Sequence, residues 1–363
     1  PPLVWKVKGL GDGYSTPSIA RGRLYVLGNR GLENEFVQCR NVPDGAVVWE
    51  TKVGKVGNPE QSPPYPGSRS TPTVDGDRVY ALGSDGDLVC LDAAAGKEQW
   101  KKSLRSDFSG KAGTWAFAES VLIDGDTLVC TPGGPSAAIV ALNKKTGDVL
   151  WQSAVDNAGE AGYASAVVAN AVGGKQYIQF LGKGLIAVAA KDGKFLWRFD
   201  KGSAGTNATT AIVHDGHVFH SALGPRGGGT AVLELTPDGA KEVFFGKTLM
   251  NHHGGVIRVG DYVYGTNQAG LVCVEFKTGK EKWQNRSVGK GSITAADGHL
   301  YVRGERSGAV ALVEATPAAY KESGRFTPPD RSDKLAWPHP VVAGGRLYLR
   351  DKDTLLCYDI KAK

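Results

Sequence analysis

Three stretches of the chain share one pattern. They are STPTVDGDRVYALGSDGDLVCLDAAAGKEQW, ending at Trp100; ESVLIDGDTLVCTPGGPSAAIVALNKKTGDVLW, ending at Trp151; and GGVIRVGDYVYGTNQAGLVCVEFKTGKEKW, ending at Trp283. Each begins with an apolar strand, then a Gly/Asp turn and a strand centred on Tyr or Val. A Gly-rich turn, an alternating strand, a second Gly turn and a strand ending in Trp complete the unit. Four alternating strands between turn clusters form a meander, the unit of a β-propeller blade. One such unit cannot bury its apolar faces alone, so it must stack against copies of itself. The glycine four residues ahead of the tryptophan recurs in Gly45–Trp49, Gly96–Trp100, Gly147–Trp151, Gly193–Trp197 and Gly279–Trp283. Glycine totals 50 of 363 residues, about twice the usual share, and falls at turns without a collagen period.

The weaker units complete the count. In the fifth, PDGAKEVFF puts Val243 at the tryptophan position, with Phe244 and Phe245 beside it. The seventh, ALVEATPAAYKESGRF, loses the tight turn and keeps an aromatic at Phe326. The eighth, PHPVVAGGRLYLRDKDTLLCYDIKAK, supplies three strands and stops where a tryptophan strand should follow. The orphan strand LVWKV, residues 3–7, is that strand. Pairing it beside LLCYDI closes the ring and removes two sheet edges. The expectation is one domain, 1–363: an all-β, eight-bladed β-propeller of four-stranded antiparallel blades, closed by the N-terminal strand completing the last blade. The repeated tryptophan is expected to pack across to the neighbouring blade's turn, as scaffold rather than a cofactor floor. Cys39, Cys90, Cys273 and Cys357 share one place in four units and only Cys130 falls elsewhere, so all five read as buried free thiols.

Composition excludes several function classes. The formal net charge is +6, no run of five like charges occurs, and the basic residues are scattered through turns, which argues against nucleic-acid binding. No apolar stretch approaches the ~20 residues of a membrane span. No signal peptide is recognisable, and a chain starting at Pro1 reads as one already trimmed. There is no Gly-x-Ser-x-Gly elbow, no Cys-x-x-Cys-His haem site and no pair of adjacent cysteines.

Propellers bind ligands at the mouth of the central channel, where the innermost strands begin. Alignment of the units puts Tyr14, Arg69, Ala118, Tyr163, Ala208, His253, Lys290 and Trp337 in one column there. The following column is mostly small: Ser15, Ser70, Glu119, Ala164, Thr209, Gly254, Gly291 and Pro338. Equal packing demands would give similar residues around the ring, so the diversity points to contacts with something asymmetric; a plug of the channel is the competing reading. His252, His339, Trp115 and Asn207 lie nearby in sequence. Arg303 and Arg350, unique to blades seven and eight, are expected to join Lys290 and His253 in a basic sector. Basic groups with aromatic faces suit an anionic or sugar-like ligand. A metal site is not expected at NHHGG, because adjacent strand residues point to opposite faces.

The segments LDAAAGKEQW, LNKKTGDVLW and EFKTGKEKW resemble the tryptophan-docking motif of the pyrroloquinoline-quinone-repeat propellers. The likeness covers essentially the whole chain and is closer to the branch serving outer-membrane assembly than to the quinoprotein dehydrogenases. It implies an extracytoplasmic, periplasmic or secreted protein. The quinoprotein branch would need vicinal cysteines and a calcium-holding acidic set. Glu119 and Asn207 could be imagined in that set, but no matching Asp completes it, so pyrroloquinoline quinone with calcium is not indicated. The expected protein is a monomeric, non-catalytic scaffold. It would bind a small polar or anionic ligand, possibly a carbohydrate, or a protein partner. The alternative is an enzyme: a quinone-dependent oxidoreductase, or a carbohydrate-active hydrolase or lyase using Tyr163, His253 and Glu119.

Overall fold

A tryptophan on the outer strand needs a small residue beneath it and a turn beside it, and that pair of needs organises the architecture. The computed structural model describes residues 1–171, 173–329 and 331–361. Eight four-stranded antiparallel sheets stand around a central channel, with neighbouring innermost strands in contact. Blade 1 runs Ser18–Ala20, Arg23–Arg30, Asn34–Asn41 and Val47–Gly54 from channel to rim, and blades 2 to 7 follow in chain order. Blade 8 takes Val341–Ala343, Arg346–Asp351 and Thr354–Asp359, and its outer strand is Leu3–Val7. Trp5 lies opposite Cys357 and Val7 opposite Leu355, so the ring closes as the repeat pattern predicts. One short helix, Leu104–Phe108, is the only helix among the described residues.

Across three strands the register fixes side-chain volumes. Tyr25, Cys39 and Trp49 stand in line, as do Tyr80, Cys90 and Trp100. Tyr264, Cys273 and Trp283 form a third line, and Tyr348, Cys357 and Trp5 a fourth. A small thiol in the middle lets each Tyr and Trp ring approach to 5.9–6.1 Å over it. Ala141 and Ala187 take the middle place under Trp151 and Trp197. All five cysteines are free and buried, the repeated four serving as packing residues.

The structure corrects two assignments. The β-bulge on every outer strand makes Phe244, opposite Val232, the equivalent of the tryptophans; Val243 is the bulged residue, and it is exposed. In blade 7 the equivalent is Gly324, opposite Leu312, whereas Phe326 lies two residues on and packs edge-on against Tyr358 at 5.0 Å. The middle residue grows as the outer one shrinks: Cys or Ala with Trp, Val with Phe, Leu with Gly. In blade 5 the larger Val232 offsets the smaller Phe244, as close packing requires; in blade 7 Leu312 replaces only part of the missing ring, and nothing lies within 4 Å of the Cβ position of the exposed Gly324. The count from the glycine slipped because the turn differs: in the tryptophan blades the glycine ends a four-residue turn, as Gly45 does between Asn41 and Ala46, whereas Gly239 is itself paired with Thr236 in a two-residue hairpin.

Each docking ring also reaches the next blade. The indole Nε1 of Trp5 donates to Val42 O at 3.1 Å, Trp49 to Ala93 O at 3.1 Å, and Trp100 to Lys144 O at 3.0 Å. Trp151 donates to Ala190 O and Trp283 to Thr316 O, while Trp197 turns to Gln176 in its own blade. The recurrent glycine lies under the ring with positive φ. A Cβ on Gly147, at φ +76°, would stand 2.9 Å from the Trp100 ring. Turn conformation and ring contact therefore both demand glycine.

Deleting residues 1–8 removes Trp5 from its place between Cys357 and the turn of blade 1 and leaves Thr354–Asp359 as an unpaired edge. The truncated protein should lose about 3–5 kcal/mol of unfolding free energy, the scale of losing a large packed aromatic together with its strand. Chemical denaturation of the two chains side by side measures this, and equal midpoints would contradict the closure.

Candidate functional site

The channel mouth widens into a cavity of about 460 Å³. Seven residues of the aligned column line it: Tyr14, Arg69, Ala118, Tyr163, Ala208, His253 and Trp337. They sit where the chain leaves one blade's rim and descends to begin the next innermost strand, which is why one alignment column becomes one ring. His339 and His252 join the wall, and Trp115 comes from the connection between blades 2 and 3. Tyr65, not singled out in the sequence, hangs over the mouth from the long connection between blades 1 and 2. The aromatic rings form one cluster: Tyr14–Trp337 centroids are 4.6 Å apart, Tyr65–Trp337 4.9 Å and His253–Trp337 5.2 Å. His252 and His253 both face the cavity, their rings 4.3 Å apart. The expectation that they diverge fails because they lie in a bend before Val256–Val259, outside the strand.

Arg69 is held by its own loop. Nη2 donates to Gln61 Oε1 at 2.8 Å and Tyr65 O at 2.5 Å, and Nη1 to Gly67 O at 3.2 Å. Its guanidinium carbon lies 5.2 Å from the Tyr14 ring centroid, and the Lys352 ammonium 3.9 Å from the same ring. Burial lowers the Lys352 pKa to about 8. Burial pushes the Tyr14 hydroxyl up to about 12 and the two histidines below their usual range, so the imidazoles are neutral near pH 7. Among the described residues, no carboxylate lines the cavity.

Five residues expected at the site lie elsewhere. Lys290 is drawn into an ion pair with Glu305 at 2.8 Å, with His253 Nε2 3.4 Å from Lys290 Nζ. Arg303 and Arg350 are buried between blades. Arg350 Nη1 donates to Leu27 O at 2.6 Å and Ser15 O at 3.0 Å, Nη2 to Gly11 O and Asp12 O, and Nε to Lys352 O. Arg303 Nη1 donates to Arg350 O at 2.6 Å. These guanidinium groups tie blades 7, 8 and 1 together and so leave the basic sector expected with Lys290 and His253; the cavity wall carries Arg69 instead, with Lys352 against the Tyr14 ring. Position in a strand did not reveal whether a long side chain turns into the channel or between blades.

Glu119 and Asn207 are likewise committed. Glu119 accepts from Thr131 N at 2.5 Å, from Thr131 Oγ1 at 2.7 Å and from Gln179 Nε2 at 3.1 Å. Asn207 donates to Leu181 O at 2.7 Å and accepts from Ala204 N at 2.9 Å. Both are nearly inaccessible, and neither fits as an open ligand of a calcium-held quinone. Among the described residues, no group of three or more His, Cys, Asp or Glu has metal-holding geometry.

A belt of hydroxyls runs beneath the aromatic ring. Thr71 N donates to Ser120 Oγ at 2.9 Å, Ser120 N to Ser165 Oγ at 2.9 Å, Ser165 N to Thr210 Oγ1 at 3.0 Å and His339 N to Thr16 Oγ1 at 3.0 Å. Thr16, Thr71, Ser120 and Ser165 line the cavity. The signal was present two residues beyond each column member, in YST, RST, AES and YAS.

The family described as outer membrane protein assembly factor BamB matches residues 33–285. The protein of that name from Salmonella typhimurium is 25% identical over 139 residues, covering 38% of this chain and 31% of that one. The Yersinia pestis protein of the same name is 23% identical over 374 residues, covering 96% and 86%. Quinoprotein alcohol dehydrogenase PedH of Pseudomonas putida is 26% identical over 166 residues, 46% of this chain and 26% of that one. The crystal structure of BamB from Moraxella catarrhalis superposes with TM-score 0.70 at 17% identity, covering 100% and 98% of the two chains.

Replacing Arg350 with Met strands several buried carbonyl oxygens at the closure. Unfolding free energy should fall by about 3–5 kcal/mol, each orphaned acceptor costing roughly 1–3 kcal/mol. A loss below 1 kcal/mol would show that the tie is dispensable.

Glu35, buried and accepting from Ser84 N at 2.8 Å and Ser84 Oγ at 2.9 Å, has its pKa raised to about 8 by burial. The folded state therefore holds a proton that the unfolded chain releases, and stability falls as pH rises from about 4.5 to 8. Glu35→Gln, neutral at every pH, should flatten this slope in urea titrations at pH 5 and 9. An unchanged slope would mean that Glu35 does not carry it.

Proposed function

The chain belongs to the family of outer membrane protein assembly factor BamB, and from that premise we propose that it is a non-catalytic propeller acting outside the cytoplasm. Its surface serves a protein partner in outer-membrane assembly, as the names of its relatives suggest, and its channel-mouth cavity holds a small polar or anionic ligand. The carrying observation is the cavity wall: clustered aromatic faces and one loop-clamped guanidinium, with no carboxylate to neutralise it. A cationic site walled by low-dielectric rings favours an anion, because attraction there is weakly screened. The acid–base trio imagined for a hydrolase is incomplete, since Tyr163 and His253 line the cavity while Glu119 is sealed behind Thr131 and Gln179.

Thermal unfolding with carboxylates, sulfate and pyrroloquinoline quinone plus calcium tests this. A carboxylate at a hundredfold excess over its Kd should stabilise the protein by about 2.7 kcal/mol, and Arg69→Met should abolish the shift. No artificial electron acceptor should be reduced with alcohols present. Dye reduction by the quinone-loaded protein would favour the oxidoreductase instead.

A further inference from the structure

The geometry points to a hexuronic acid, free or at the end of an acidic polysaccharide, as the ligand of this cavity, its carboxylate on Arg69 and its ring against Trp337. The inference rests on the reading of the cavity as an anion site and narrows it to one class.

Three independent features converge. The first is Arg69. A guanidinium carries five N–H donors, and the loop acceptors Gln61, Tyr65 and Gly67 take three. The two that remain, on Nε and Nη1, diverge and so meet separate oxygens, and no carboxylate pairs with the group among the described residues. A cation fixed in orientation by its loop offers one charge-assisted contact to a carboxylate and a second N–H to a neighbouring oxygen.

The second is the hydroxyl belt. Thr16, Ser120 and Ser165 each accept a backbone N–H, which fixes the oxygen and leaves one O–H donor and one lone pair free. A sugar hydroxyl is likewise both donor and acceptor, so it can satisfy both. Sulfate or an aromatic acid offers acceptors alone and leaves those lone pairs unpaired.

The third is the aromatic wall. Tyr14, Tyr65 and His253 pack around Trp337, with centroids 4.6, 4.9 and 5.2 Å away, and all four line the cavity, giving an apolar wall for the C–H groups of a pyranose. The cavity, about 460 Å³, falls in the range of small-molecule sites.

Calorimetric titration with glucuronate, galacturonate and their short oligomers, against glucose, galactose, sulfate and benzoate, decides the matter. Uronates should bind at least about tenfold tighter than the neutral sugars, the factor expected of a charge-assisted contact. Arg69→Met should erase that difference, and Ser165→Ala should weaken uronate and neutral sugar alike. If Arg69→Met fails to fold by circular dichroism, Arg69→Lys serves: it keeps the charge, loses the loop-fixed orientation and should still weaken uronate binding severalfold. Sulfate or benzoate binding as tightly as uronate, and depending on Arg69, would overturn the sugar acid and leave the anion site standing. Absence of binding by every compound would overturn both.

Discussion

Everything in this propeller depends on how one blade grips the next through the outer-strand aromatic. The indole lies over a left-handed glycine, its N–H bonded to a turn carbonyl, and its base rests on a Cys or Ala of its own blade. Three requirements meet in one side chain: apolar area to bury, a donor to satisfy the turn, and a volume that its register partner must complement. Complementary volume explains why the site tolerates Phe244 over Val232, whereas at Gly324 the docking ring is simply absent and the place is open. It also explains the repeated cysteines, chosen for size and apolar character and kept apart by the ring itself.

A ring of blades gains from closure because an open ring would carry two edges and one unmatched docking site. The closure is reinforced beyond strand pairing. The Asp353 carboxylate accepts from Gly9 N and Gly11 N, at 3.1 and 2.7 Å, and Arg350 reaches across to the carbonyls of blade 1. Buried charge is costly unless hydrogen-bonded, and Arg350 meets that condition with backbone oxygens. Glu35 and Glu119 limit the cost another way: burial raises their pKa to about 8 and about 7, which favours the neutral carboxyl, and each is bonded to a hydroxyl and a backbone N–H. These groups look chemical in a list of residues and are structural in space.

What escapes this scheme is the channel mouth. The blades converge there without repeating one another, and the connections between blades 1 and 2 and between blades 2 and 3 contribute Tyr65 and Trp115 to the wall. The wall is therefore asymmetric on a symmetric frame, as a site for an asymmetric ligand requires. The hydroxyl belt serves both sides: it links neighbouring blades and still presents O–H groups to the cavity.

The sequence by itself determined the blade count, the closure by residues 3–7 and the ring of column residues, because these follow from period-two alternation and turn spacing, which are local. It also placed seven of the eight column residues around one cavity, since equivalent positions in a cyclic repeat must face the same axis. It could not decide the direction of long side chains. Lys290, Arg303 and Arg350 each had the channel, the solvent and the interblade seam within reach, and the choice fell to acceptors supplied from distant parts of the chain: Glu305 for Lys290, and the carbonyls of Arg350 and Leu27 for the two arginines. The identity of the docking residue in blade 5 turned on the register across a shorter hairpin, visible only when the partner strand is in place. Local alternation is written along the chain; hydrogen-bond partners across the ring exist only once it has closed.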